Sequence, residues 1–201
     1  YRHLHTFARG WIKDATNTRS RWSRTMAYNF MLIMTNTGMR TIEARNLLWR
    51  DVDTRTDKEG RKFVVINVRG KGKHRELVAP ANVATYLDRI RAISLATNPD
   101  DPVFTNDEGE TSAAQYHTVM TDLLEKSGLL YSASGSRRSS YCFRHTYATF
   151  RLMEGVDVYF LAKQMGTSVK MIEDHYGHIT PAENAEHILQ GTPEWDAIAK
   201  Q

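Results

Sequence analysis

The chain has 201 residues, 41% hydrophobic and 25% charged, with 27 lysines and arginines against 23 acids and a net charge of +4. These proportions fit one packed domain over residues 1–201 and exclude a chain disordered over most of its length. The basic balance favours a polyanionic partner, and the single cysteine, Cys142, excludes an intramolecular disulfide or a zinc site built from several thiolates.

No apolar run approaches the ~18 residues of a membrane span, and no signal-peptide pattern opens the chain. The sequence therefore reads as cytoplasmic, without a membrane partner. Its start at Tyr1-Arg2-His3, without methionine, is expected of a piece of something longer.

In chain order, residues 1–20 are polar and basic and predict a short leading helix with Phe7, Trp11 and Ile12. Met26, Phe30, Ile33 and Met34 recur at helical spacing between Trp22 and Thr35, and Gly38 supplies the stop. A second helix is expected from Thr41 to Leu48. From Phe63 to Arg69 the β-branched run Val64, Val65, Ile66 and Val68 predicts a strand, and His74–Ala79 a second one. Gly70-Lys71-Gly72-Lys73 is then the hairpin between them. Asp51 and Asp53 start like a calcium loop, but Arg55 stands at the next ligand position and the closing glutamate is missing.

Beyond Pro80, the stripe Val83, Leu87, Ile90 and Ile93 predicts a helix, and residues 111–126 another with Tyr116, Val119, Met120 and Leu123. Ser132–Ser140 reads as a Gly/Ser/Arg loop in which Arg137 and Arg138 are candidate phosphate contacts. Helices are expected at 140–154, 157–165 and 168–176, and a short one through Ala185, Ile188 and Leu189. Cys142 is expected to be a small buried residue on its helix. The architecture is mainly α with a small antiparallel β-sheet, an α+β fold.

Six residues are candidates for chemistry: Arg40, Lys71, Tyr141, Arg144, Thr167 and Tyr176. Arg40 sits at a helix boundary one turn before Glu43, which can hold its guanidinium. Lys71 stands between glycines at a hairpin tip. Tyr141, Arg144 and His145 share one helix face, where a phenol, a guanidinium and an imidazole suit a phosphate pocket. Taken singly, each has an ordinary reading: a surface Arg–Glu pair, a solvated turn lysine, an amphipathic helix with Arg144 in solvent, a packed Tyr176. His175 and His178, without a carboxylate partner, are weak evidence for a metal.

Together these residues resemble the catalytic domain of the tyrosine recombinase (phage integrase) family. Thr37-Gly38-Met39-Arg40-Thr41-Ile42-Glu43, continued by Leu48-Trp49-Arg50-Asp51-Val52-Asp53, is similar to the family's first arginine box. Gly70-Lys71-Gly72 with Arg75 and Val78 resembles its lysine-bearing hairpin. Arg144-His145-Thr146-Tyr147-Ala148-Thr149 resembles the second arginine box, and Met165-Gly166-Thr167 to Tyr176 the final one. The resemblance covers about residues 20–180, leaving 181–201 as a tail, and nothing here resembles the family's N-terminal core-binding domain. Two positions depart from the common pattern: Tyr141 stands where a histidine is usual, and Thr167 where histidine or tryptophan is. A phenol still donates a hydrogen bond but is a poorer base, and Thr167 either donates one or caps the following helix.

The resemblance implies a site-specific recombinase or integrase acting on double-stranded DNA, bacterial or phage-encoded and assembled as a tetramer on its sites. Tyr176 would attack the phosphodiester to give a 3′-phosphotyrosine, Arg40 and Arg144 would grip the non-bridging oxygens, and Lys71 would protonate the leaving 5′-oxygen. Such chemistry needs neither a cofactor nor a metal. The alternatives are a type IB topoisomerase-like enzyme and a catalytically silent DNA-binding module of the same fold.

Overall fold

The computed structural model describes residues 1–70, 73–111 and 116–176. It divides into two compact units, Tyr1–Tyr147 and Ala148–Gln201. The expected helix through Ala185–Leu189, the tail after Pro181, His178, Lys71 and Gly72 all lie outside the described residues.

The first unit opens with α1 (Arg2–Lys13), whose Leu4, Ala8 and Trp11 are buried. This helix belongs to the core more fully than its polar sequence suggested, because its three inward residues fall one turn apart. Asn17 caps α2 (Thr18–Thr37), its side chain accepting from the Ser20 N–H at 2.8 Å. Every residue from Met26 to Thr35 is buried, so α2 is the central helix rather than a one-sided amphipathic one. It stops where expected: Gly38 takes φ 64° and its N–H closes on the Met34 carbonyl.

The next helix, α3 (Thr41–Arg45), is shorter than the sequence predicts. Leu47 and Leu48 leave it because they serve a different purpose. The Leu47 carbonyl accepts from Val103 N–H at 3.0 Å and Leu48 bridges Pro102, pinning the chain across the core. A 3-10 turn (Trp49–Asp51) follows, fixed by the Trp49 indole N–H on the Ala96 carbonyl at 2.8 Å.

The sheet has three antiparallel strands, one more than predicted: β1 (Val52–Thr56), β2 (Lys62–Gly70) and β3 (Lys73–Pro80) in the order β1-β2-β3. Val52 pairs with Ile66 and Thr56 with Lys62, while Phe63 pairs with Pro80 and Gly70 with Lys73. The last pairing joins the end of β2 to the start of β3 in an antiparallel ladder. Val64, Ile66, Val68, Leu77 and Ala79 form the inner face and join the core around α2.

Two more helices follow in this unit, α4 (Asn82–Arg91) and α5 (His117–Lys126). The second begins later than the predicted residue 111. Tyr116 precedes it at φ 59°, with its ring packed edge-on to Phe30 at 5.6 Å and its hydroxyl donating to the Thr105 carbonyl at 2.7 Å. Burial pushes the Tyr116 phenol pKa well above its ordinary value.

Helix α6 (Tyr141–Met153) contains the division between the units. The second unit continues with α7 (Val158–Met165) and α8 (Val169–Tyr176), both within a residue of expectation. Asp157 caps α7 through its carboxylate, and Gly166 ends it at φ 62°. Among the described residues no helix is long and apolar enough to cross a membrane.

Candidate active site

The site is built in the first unit around one carboxylate. Arg40 stands in extended conformation at the N-cap of α3, and the Glu43 side chain reaches back to accept its backbone N–H at 2.7 Å. The other Glu43 oxygen accepts from the Arg40 guanidinium at 3.0 Å. Arg75, carried on β3, closes on the same carboxylate in a two-point pair, with Nη2 on Oε2 at 2.9 Å and Nη1 on Oε1. The Glu43 side chain is only 2% exposed, whereas Arg40 keeps 39% of its surface in solvent. This is no surface Arg–Glu pair. A buried acid holds one arginine rigid and aims another outward.

Arg144 supplies the third guanidinium. It is buried on α6 and donates to the carbonyl of Gly38, the residue that ends α2. Gly38 has no alternative there: a Cβ at this position would lie 2.3 Å from Cδ1 of Tyr147. The left-handed turn and the α6 ring one turn beyond Arg144 therefore meet with no room for a side chain. The reading of Arg144 as a solvated face residue is overturned by its burial.

Burial lowers the Arg75 pKa to about 10, Glu43 opposes that shift, and the nearby Arg144 and Arg40 charges reinforce it. Two guanidinium groups thus share one carboxylate while the charge of a third, Arg144, acts on Arg75, an excess of positive charge held in a partly dry pocket. A tetrahedral oxyanion with a single negative charge relieves that excess, and planar N–H forks match its non-bridging oxygens. Arg75 is the member that sequence reasoning missed. It entered only through the resemblance to the lysine-bearing hairpin, but its alternation with buried Leu77 and Ala79 puts it on the inner face of β3.

The other candidates fall as follows. Tyr141 is exposed at the N-terminus of α6, its ring edge-on to His145 at 5.0 Å between centroids. Cys142 is half-buried rather than buried, because it occupies the flank of α6. Arg138 is held within its own loop by one guanidinium nitrogen. Its guanidinium donates to the Leu129 carbonyl at 2.8 Å and the Tyr131 carbonyl at 2.6 Å, tying its own loop together. Arg137 stays exposed. In the second unit, Thr167 follows the Gly166 turn with its N–H on the Ala162 carbonyl at 2.9 Å. Capping of α8 belongs to the next residue, since the Ser168 hydroxyl accepts from Met171 N–H at 3.2 Å. Tyr176 is buried as the last residue of α8.

This mostly helical chain with its small three-stranded antiparallel sheet has the fold of tyrosine recombinase catalytic domains. It superposes with a TM-score of 0.66 on the XerH site-specific recombinase bound to palindromic difH substrate, at 20% identity over 94% of this chain and 51% of that one. For the XerA recombinase the TM-score is 0.62 at 24% identity, over 94% of this chain and 62% of the other. The Tn1549 transposon integrase in complex with transposon right end DNA gives 0.62 at 15% identity, over 91% and 62%. Residues 11–183 match the model of the phage integrase family, and the chain belongs to that family. Tyrosine recombinase XerC of Oceanobacillus iheyensis is 25% identical over 167 residues, which is 78% of this chain and 50% of that protein. The chain thus spans about half the length of the curated relative it matches.

Proposed function

We propose that the protein is a site-specific DNA recombinase that cleaves and rejoins strands through a 3′-phosphotyrosine, with residues 1–201 serving as its catalytic domain. The observation that carries this reading is the pairing of Arg40 and Arg75 on buried Glu43 together with buried Arg144, whose charge acts on Arg75, a preorganised receptor for one phosphodiester. In the reaction Tyr176 attacks phosphorus in line, forming the Tyr176 O–P bond as the P–O5′ bond breaks. The phenol gives up its proton to solvent water, and the departing 5′-oxygen takes one from Lys71. The arginines stabilise the charge that grows on the non-bridging oxygens, where fixed donors are most effective. Tyr141 donates a further hydrogen bond to the phosphate, and Thr167 another. The phosphotyrosine keeps the energy of the broken bond, so attack by a second strand's 5′-hydroxyl completes exchange.

The partner on this reading is double-stranded DNA, bound chiefly through phosphates, with four protomers assembling on a pair of sites in a bacterial or phage-infected cytoplasm. Affinity then falls steeply with salt. Incubation with a nicked recombination-site duplex tests the reading. A covalent protein–DNA band is expected, lost in Tyr176→Phe while noncovalent binding survives. Covalent capture by Tyr176→Phe would sink the assignment of the nucleophile.

A further inference from the structure

The hairpin that leads to Lys71 is held by a second buried carboxylate, on the face opposite Glu43. Arg75 pairs with Val68 of β2 on the inner face of the sheet, where Glu43 takes it. Arg69 is one residue on from Val68, so its side chain leaves by the outer face. Extending the β1–β2 register by one position sets Asp51 opposite Asn67, which makes Arg69 its diagonal neighbour on that same face. There the guanidinium of Arg69 donates to Oδ1 of Asp51.

Asp51 is a fixed point. Its side chain is 5% exposed, against 35% for Arg69. Its second oxygen accepts from the Leu48 N–H at 3.2 Å, closing the 3-10 turn. That turn is itself anchored by Trp49 N–H on the Asp101 carbonyl at 3.1 Å and Arg50 N–H on the Pro99 carbonyl at 2.8 Å. The Arg69 carbonyl adds a long contact, 3.5 Å, to the Asn46 amide. Arg69 is the last residue of β2 before the Gly70–Lys73 pairing that closes the ladder.

We infer that Asp51 and Arg69 are positioning residues: they fix the β2 end of the hairpin, and proton delivery by Lys71 depends on that. The inference rests on the general-acid reading of Lys71 given above. Glu43–Arg75 ties the hairpin on one face of the sheet and Asp51–Arg69 on the other. A displacement of about 1 Å in a catalytic group can cost about 100-fold in rate.

The test uses two nicked duplexes, one ordinary and one whose scissile 5′-bridging oxygen is replaced by sulfur. A thiolate leaves without being protonated, because a thiol ionises near pH ~8.5. Cleavage by the intact protein is compared with that by Lys71→Ala, Arg69→Met and Asp51→Asn. Each variant is expected to lose roughly 10- to 100-fold on the oxygen substrate and to return within a few-fold of the unsubstituted protein on the sulfur one. The sulfur-to-oxygen rate ratio is read within one preparation, so a misfolded fraction lowers both rates alike and cancels. If Lys71→Ala is rescued by sulfur but Arg69→Met and Asp51→Asn are equally slow on both, the positioning role is overturned. A loss of DNA affinity with an unchanged ratio overturns it too, and makes Arg69 a phosphate contact. If Lys71→Ala itself stays slow on sulfur, the general-acid reading fails, and the purpose assigned to the pair fails with it.

Discussion

Glu43 and Arg75, 32 positions apart in sequence, meet through both oxygens of a carboxylate that is almost fully buried. The pair joins α3 to β3, and Arg40 completes it from the other side. Removing the acid strands Arg40 and Arg75 without their shared carboxylate. Glu43→Ala is expected to cost about 3–5 kcal/mol, the usual range when one partner of a buried ion pair is deleted. Urea unfolding measures it, and a change below about 1 kcal/mol would mean that the arginines are solvated without Glu43.

Gly38 is expected to tolerate no side chain. Gly38→Ala meets the Tyr147 ring at 2.3 Å and must hold φ 64°. The left-handed backbone costs about 1–2 kcal/mol and overpacking about 1–3 kcal/mol, so roughly 2–5 kcal/mol together. The Gly38 carbonyl is also the acceptor for Arg144. The variant should therefore lose cleavage activity even at temperatures where its circular dichroism is that of the folded protein.

Both of these residues were visible in the sequence, but only one with its full meaning. Gly38 announced a helix stop, because a glycine after a periodic apolar run has few other readings. Glu43 announced a partner for Arg40, since the two lie one turn apart. Its second partner was invisible, because no local pattern links residue 43 to residue 75. The same limit hid β1. Val52–Thr56 is polar and exposed after its first residue, so nothing in Asp53-Thr54-Arg55-Thr56 marks an edge strand except its pairing with β2. The end of α3 was overrun for the opposite reason: Leu47 and Leu48 fit a helical stripe, and the contacts to Pro102 and Val103 that straighten them come from far along the chain.

Arg75 should make phosphate binding sensitive to alkaline pH. Its pKa in the folded protein is lowered to about 10, so the folded state sheds this proton before the unfolded chain does. The stabilising contribution of that shift is present above the unfolded value and is lost as pH falls through about 10; at neutral pH the pocket bears the full cost of a charged Arg75. A bound phosphate offsets that cost and raises the pKa, which couples binding to retention of the proton. Affinity of Tyr176→Phe for a short duplex is expected to fall as pH rises from 8.5 towards about 10 and beyond. Adding Arg75→Met should flatten the slope. An equally steep slope without Arg75 would assign the titration to another group.

Tyr141 decides whether the phenol replaces a histidine or merely occupies its place. The side chain is 47% exposed and rests edge-on against His145 at 5.0 Å. Its hydroxyl can be removed with little effect on folding, because an exposed phenol contributes little to the core. Tyr141→Phe keeps the ring contact and deletes the donor. If the hydroxyl binds a phosphate oxygen in the transition state, cleavage should slow by about 10- to 100-fold with the melting temperature unchanged, as expected for loss of one hydrogen bond to a charged group. Tyr141→His restores a donor and adds a group that titrates near pH ~6.5. It should recover most of the rate and give the cleavage profile a new inflection near that pH. Equal rates for Tyr141→Phe and the unsubstituted protein would leave the ring as packing for His145 and nothing more.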